Sequence, residues 1–345
     1  MNSFSSLLIR WQKTHGRHDL PWQDTTDPYR VWLSEIMLQQ TQVATVIPYY
    51  RRFLARLPTL ADLAAAPVEE VMALWSGLGY YARARNLHAG ARAVMAQHGG
   101  EFPREPAAIA ALPGIGCSTA NAIADFCFAA RVPILDGNVK RVLCRCFGIE
   151  GFPGAPAVER RLWQLAAELL PRQRVGVYIQ AQMDLGATLC VRGQPRCGEC
   201  PLADRCVALR CGRSAELPQA KPRRALPQRE TTLLVLRNGH DILLEARPPQ
   251  GIWGGLLSLP ELPAGADAQM HAATLGCRVQ DVQELPPFVH TFTHFRLTLR
   301  PLLMAAQPLP QAAEAGRRWL APAAMKAAPL PAPIRKLLKT LSGSL

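Results

Sequence analysis

The sequence predicts a multidomain protein, a mostly α-helical region followed by a smaller α+β domain. Three observations carry this. At 345 residues the chain is longer than one hydrophobic core ordinarily serves. Up to about residue 211, apolar residues recur at three- and four-residue spacing with Pro or Gly at the breaks, the period of amphipathic helices. Beyond residue 229 the pattern changes to short leucine- and threonine-rich runs separated by a turn dipeptide.

The elements follow in order. Asp27-Pro28 starts a helix, because Asp caps free amides and Pro suits the first turn. Further helices are predicted at 68–75, 82–97, 118–129, 138–146 and 157–169. Residues 215–229, with Pro218, Pro222 and Pro227 among Lys and Arg, read as an extended basic linker. The domains are therefore placed at 1–214 and 230–345. In the second, Thr231–Leu236, Asn238-Gly239 and Ile242–Leu244 predict a β-hairpin, and Val289–Leu303 another strand-rich stretch. The Ala/Pro-rich segment 305–333 is expected to form loops around one short helix.

The formal net charge is +13 and the pI about 9.6, which points to a polyanionic partner. Residues 1–215 hold 22 Arg and only two Lys, Lys13 and Lys140. Arginine's planar fork matches phosphate oxygens in a bidentate way, so the bias fits backbone contacts. The N-terminus carries no secretory pattern and no run is long enough for a bilayer span, so a cytoplasmic protein is expected, with no membrane partner. In a reducing compartment its ten Cys are thiols or metal ligands.

Cys190, Cys197, Cys200 and Cys206 follow C-x6-C-x2-C-x5-C. Four thiolates this close suit either tetrahedral zinc or a cubane iron–sulfur cluster, and the single tight pair leans towards iron–sulfur. Arg192, Arg196 and Arg205 lie between or beside these ligands. The hairpin Leu112-Pro113-Gly114-Ile115-Gly116 is suited to hold a phosphate, since Gly114 and Gly116 let backbone amides approach closely.

Two carboxylates stand out. Glu35 has Val31, Trp32, Leu38 and Gln39 as helical neighbours, a largely apolar face that raises the pKa of a carboxyl buried on it but leaves one at its edge in solvent, and the helix alone does not choose between the two. Asp136 precedes the helix at 138–146, where an N-cap role keeps it ionised. Cleavage through an oxocarbenium-like sugar needs this division, one protonated acid for the leaving group and one carboxylate facing the cation.

Ser34–Val43, Leu74–Asn86, the glycine hairpin, Leu135–Arg141 and the Cys quartet together resemble the adenine DNA glycosylases of the MutY type, in order and over nearly the whole chain. The wider superfamily is the helix-hairpin-helix DNA glycosylases, which includes endonuclease III. The resemblance implies a [4Fe–4S] cluster on Cys190, Cys197, Cys200 and Cys206. It also implies excision of adenine opposite 8-oxoguanine or guanine in double-stranded DNA, by a monomer associated with the nucleoid. Glu35 matches the acid that protonates adenine, and Asp136 the carboxylate that stabilises the sugar cation. Gln40, Thr41, Leu78 and Tyr80 match positions that enter the helix around the lesion pair. Trp22, Leu38 and Asp184 match the adenine pocket more weakly. Asn138 falls among the DNA-contacting positions. A base must leave the stack before its glycosidic bond is reached, and apolar or aromatic wedges fill the gap.

Endonuclease III-like relatives place a Schiff-base lysine just after the hairpin; here that position is Ser118. Without a positioned amine the expected reaction is hydrolysis without strand cleavage. Lys140, one helical turn past Asp136, is expected to contact phosphate. The C-terminal domain resembles a Nudix fold, with Gly255, Glu261 and Gly276 at matching separations. The box's acidic run falls on Gln269–Thr274, which lacks the carboxylates Mg²⁺ needs. Phe292-Thr293-His294 matches a Phe-Ser-His element that recognises 8-oxoguanine, with Thr in place of Ser. Three other readings stand beside this one: a bifunctional endonuclease III-like glycosylase/lyase, a non-catalytic DNA-binding iron–sulfur protein, and a nucleotide pyrophosphohydrolase.

Overall fold

The computed structural model describes residues 3–222, 225–248, 250–309, 316–325 and 328–343. It divides into two compact units, residues 1–65 with 86–223, and residues 66–85 with 224–345. The five helices predicted between 68 and 169 form as Val68–Trp75, Ala82–His98, Cys117–Phe128, Gly137–Phe147 and Pro156–Glu168, each within one residue of expectation. No described helix is long and apolar enough to cross a membrane.

The first unit is helical. Asp27 caps Pro28–Leu38 by accepting the Tyr29 amide at 2.9 Å, and Asp136 caps Gly137–Phe147 by accepting the Val139 amide at 2.7 Å. Phe4–His15 packs on Val175–Thr188, which in turn packs on Gly137–Phe147. Leu8, Val139, Leu143, Ile179 and Leu185 fill that seam, fully shielded from water. Pro28–Leu38 lies against Cys117–Phe128, and Ser118 near the start of the latter holds the Leu135 amide next to Asp136.

Among the described residues, the second unit is built on a mixed eight-stranded sheet. Its strands are β1 (Gln228–Asn238), β2 (Asp241–Ala246), β3 (Leu257–Ser258), β4 (Glu261–Leu262), β5 (Cys277–Glu284), β6 (Phe288–Thr291), β7 (Arg296–Pro308) and β8 (Arg317–Leu320). The main path runs β3-β2-β1-β7-β5; β1 and β7 pair in parallel, and every other pairing is antiparallel. Leu233–Leu236 of β1 are buried in succession, as a central strand covered on both faces requires. The helix Ala268–Thr274 covers one face, packing Ala272 with Leu234, Leu243 and Met304.

Two local expectations need correction. The β1–β2 turn sits one residue later than Asn238-Gly239, since Asn238 pairs with Asp241 and Gly239 takes the positive φ of 59°. Among the described residues, the segment 305–333 is not mainly loops. It carries the end of β7, the strand β8 and the short helix Pro322–Met325, with residues 310–315 and 326–327 outside the described residues. Its alanine-rich composition hides strands that are held by sheet pairing and not by propensity.

Candidate active site

Glu35 projects from the Pro28–Leu38 helix into a cavity of about 480 Å³ within the first unit. Trp22, Val31, Ser34, Leu38, Phe126, Gly176 and Met183 line it, with Arg17, His18, Gln23 and Gln180 as polar members. Trp22 is held edge-on against Tyr50, ring centres 5.4 Å apart. Burial raises the Glu35 pKa to about 7, and the negative charge of Asp136 adds to the rise. The two candidate acids therefore lie close enough to feel each other, a convergence that helix periodicity alone does not establish.

Asp136 sits at the N-terminus of its helix. Val139 N–H donates to Oδ1 at 2.7 Å, and Asn138 Nδ2 to Oδ2 at 3.3 Å. Burial pushes its pKa up, against the amides of Val139 and Asn138 and the Arg141 guanidinium. The expectation that capping alone keeps it ionised is thus only half of the balance. Arg141, itself buried, donates to Asn138 Oδ1 at 2.8 Å and to the Cys190 carbonyl at 2.6 Å. Gly186 lies so close to Asn138 that a Cβ there would stand 2.5 Å from the Asn138 Cβ. Asn138 is thereby wedged between a neighbouring helix and Asp136.

The hairpin behaves unevenly. Gly114 has φ +77°, and a Cβ would meet the Asn86 side chain at 2.6 Å, whereas Gly116 has φ −89° and open space around it. Gly114 is a conformational glycine; Gly116 leaves an unshielded backbone at a helix start. Ser118 Oγ accepts the Leu135 amide at 3.0 Å, pinning the segment that leads into Asp136. Lys140 is ion-paired with Glu159 at 2.5 Å, so its expected phosphate contact competes with a partner already in place. Asp184 is not on the cavity wall. Fully buried, it accepts from Arg17 Nη2 at 2.7 Å and Gln180 Nε2 at 2.9 Å, and those two residues line the cavity for it.

Cys190, Cys197, Cys200 and Cys206 line one small cavity together with Arg145 and Leu209. Among the described residues, no group of three or more His, Cys, Asp or Glu is arranged for a single metal ion. Arg145, only 3% exposed, donates to Cys190 Sγ at 3.4 Å and to the carbonyls of Val191 at 2.7 Å and Leu217 at 2.7 Å. The neighbouring Cys146 thiol pulls the Cys206 pKa below that of a free thiol, while Cys206 Sγ donates to the Arg145 carbonyl at 3.5 Å.

Two family patterns match the chain, the HhH-GPD superfamily of base excision DNA repair proteins over residues 33–168 and the NUDIX domain over 231–340. The adenine DNA glycosylase of Buchnera aphidicola subsp. Acyrthosiphon pisum is 36% identical over 87% of this chain and 86% of its own. The chain belongs to the adenine DNA glycosylase family. The human adenine DNA glycosylase is 34% identical over 99% of this chain and 74% of its own. A solved thermostable thymine-DNA glycosylase superposes with a TM-score of 0.55 at 30% identity, over 60% of this chain and 95% of that one. As a member of the family, the protein is a DNA N-glycosylase of base excision repair, with DNA as its substrate.

The remaining matched positions fall in different places. Gln40, exposed with φ 56°, and Thr41 follow the Glu35 helix in the first unit. Leu78 and Tyr80 belong to the second, Leu78 buried and Tyr80 exposed. Phe292, Thr293 and His294 form the turn between β6 and β7, closed by Phe292 N–H donating to the Phe295 carbonyl at 2.9 Å. Phe292 stacks on Phe295 at 4.5 Å, and Thr293 Oγ1 is exposed 3.4 Å from His294 Nδ1. Glu261 of the Nudix frame pairs with Arg247 at 3.0 Å, and Ala268–Thr274 carries no carboxylate.

Sequence reading misses Gln180 and Met183 because it does not predict the helix Val175–Thr188, and Arg17 and His18 because they follow the helix Phe4–His15 in a segment without a motif. It also missed Asp125, buried on the Cys117–Phe128 helix with Oδ2 unpartnered and a pKa raised to about 7 by burial. The signal available was an acid set inside the apolar run Ala122–Phe128.

Proposed function

We propose that this glycosylase removes adenine mispaired with 8-oxoguanine or guanine from duplex DNA, hydrolysing the N-glycosidic bond and leaving the strand intact. The observation that carries this reading is Glu35, a carboxyl on the wall of a cavity roomy enough for an extruded base, whose pKa of about 7 lets it hold a proton near neutrality. In the proposed reaction Glu35 protonates the extruded adenine, and Asp136 faces the sugar as the bond lengthens. Positive charge developing on the sugar favours the ionised form of Asp136, which its N-cap amides already assist. Trp22 and Leu38 would contact the base, while Asp184 acts through Arg17 and Gln180.

Intact strands are supported by Ser118, whose hydroxyl is engaged by Leu135, and by Lys140, whose amine is held by Glu159. Gly114, Gly116 and Asn138 would meet the phosphate backbone. Gln40, Thr41, Leu78 and Tyr80 would fill the duplex around the lesion pair. Phe292, Thr293 and His294 would read 8-oxoguanine from a lesion-recognition domain at 230–345, joined by the 215–229 linker to a catalytic region at 1–214. A monomer in the cytoplasm, associated with the nucleoid, completes the proposal.

Cys190, Cys197, Cys200 and Cys206 fit a [4Fe–4S] cluster, because four thiols share one cavity with a buried guanidinium that offsets thiolate charge. Such a cluster supplies a cross-link holding the 190–206 loop. Iron, zinc and acid-labile sulfide assays on the purified protein check it, zinc without sulfide being the contrary result.

Single-turnover base release from duplexes carrying adenine opposite 8-oxoguanine, guanine, thymine or cytosine tests the specificity. Release is expected opposite the first two. Equal release opposite thymine would overturn it.

A further inference from the structure

The turn 76–81 is held in an uncommon backbone shape. Gly77, Gly79 and Tyr80 have φ of 106°, 74° and 49°, so two glycines and one tyrosine share left-handed conformations within four residues. For Tyr80 that conformation carries a steric penalty and persists only where the surroundings impose it. Part of the restraint is local. Trp75 Nε1 donates to the Gly79 carbonyl at 3.2 Å, and Arg83 Nη2 to the carbonyls of Gly79 at 3.2 Å and Leu78 at 3.4 Å.

The rest comes from the far end of the chain. Arg335, on the helix Ala332–Gly343, donates through Nη2 to Ser76 Oγ at 2.8 Å. The same guanidinium donates to the carbonyls of Ala328 at 2.7 Å and Met325 at 3.1 Å. Tyr81 OH accepts the Gly77 amide at 3.2 Å and donates to the Leu330 carbonyl at 3.5 Å. Arg85 Nη1 donates to the Gly254 carbonyl. Both flanks of the turn are thus fastened to residues that follow the linker, within one compact unit.

We infer that Arg335 is a positioning residue for the turn that carries Leu78 and exposes Tyr80, so that the C-terminal domain shapes the wedge as well as meeting the lesion. The inference rests on the wedge role proposed above for those two residues. A guanidinium that bridges Ser76 to two main-chain carbonyls fixes the entry to the turn in a way a single neutral hydrogen bond does not. Arg335 touches no reacting atom in this account; it acts through the shape of 76–81.

The test uses the full chain and a duplex with 2-aminopurine beside the adenine:8-oxoguanine pair, read as fluorescence on mixing, with adenine release measured separately. Arg335→Met and Ser76→Ala should each slow unstacking roughly tenfold. Ser76→Ala removes only the turn's end of the bridge, so a folding defect in Arg335→Met does not decide the outcome. In a Tyr80→Ala background, both substitutions should add little, because the group they position is gone. Unchanged unstacking in Ser76→Ala and in a folded Arg335→Met overturns the inference, as do effects that multiply with a defective Tyr80→Ala. If Tyr80→Ala itself unstacks the duplex normally, the wedge assignment falls, and the inference with it.

Discussion

Replacing Glu35 by Gln separates the stability of the fold from its chemistry. The folded-state pKa of Glu35 rises from 4.5 to about 7, mainly through burial. Below pH 4.5 the carboxyl is protonated whether the chain is folded or not, and it carries no pH-dependent penalty. Between 4.5 and 7 the unfolded chain gives up this proton first, so stability falls as pH rises. Above 7 the full penalty of ionising a buried acid is present. At ~1.4 kcal/mol per unit, the wild type gives up at most about 3 kcal/mol at pH 8 and under ~1 kcal/mol at pH 5. Gln has the shape without the charge. Glu35→Gln should therefore abolish adenine release, keep affinity for the mispair, and exceed the wild type in urea stability at pH 8 but scarcely at pH 5. Wild-type release should itself fall about tenfold between pH 6 and 8 as the acid deprotonates. A stability difference that does not change with pH, or a variant less stable at pH 8, would refute the reasoning.

Other substitutions distinguish roles that look alike in sequence. Asp184→Asn leaves the Arg17 guanidinium without its buried partner and should cost about 3–5 kcal/mol in urea unfolding; a loss below ~1 kcal/mol would contradict the anchoring role. Gly114→Ala meets both a positive φ and the Asn86 side chain, so it should destabilise by about 1–3 kcal/mol. Gly116→Ala, with open space, should unfold like the wild type and lose only duplex affinity, measured by salt-dependent binding. Ser118→Ala orphans the Leu135 amide and should lower stability by about 1–3 kcal/mol without creating strand cleavage on a denaturing gel.

The helix after Asp27 and the five others predicted are legible because their apolar period and caps are local, whereas Phe4–His15, Val43–Arg56 and Val175–Thr188 are not predicted; Asp27 and Asp136 do what short-range chemistry says. Glu35 was legible as an acid on an apolar face. Its nearness to Asp136 was not, since 101 positions separate them; Pro28–Leu38 packs on Cys117–Phe128, whose Ser118 holds the Leu135 amide next to Asp136. Asp184 matches a pocket position in sequence, yet in the fold it is buried and turned onto Arg17. The sequence shows what the Lys140 and Ser118 side chains carry or lack; the partners that occupy them, Glu159 and Leu135, come from the fold. Nor does the linker mark the edge of every compact unit, because residues 66–85 gather with the C-terminal sheet through long-range bonds such as Arg335 to Ser76.

The central claim is that Glu35 and Asp136 hydrolyse an adenine glycosidic bond and leave the strand whole. A single-turnover reaction on an adenine:8-oxoguanine duplex, divided between alkali and neutral quenches, tests it most directly. Free adenine should appear in step with alkali-labile sites, with no breaks in the neutral sample. Breaks at neutral pH matching base release, or no adenine at any excess of enzyme, would contradict it.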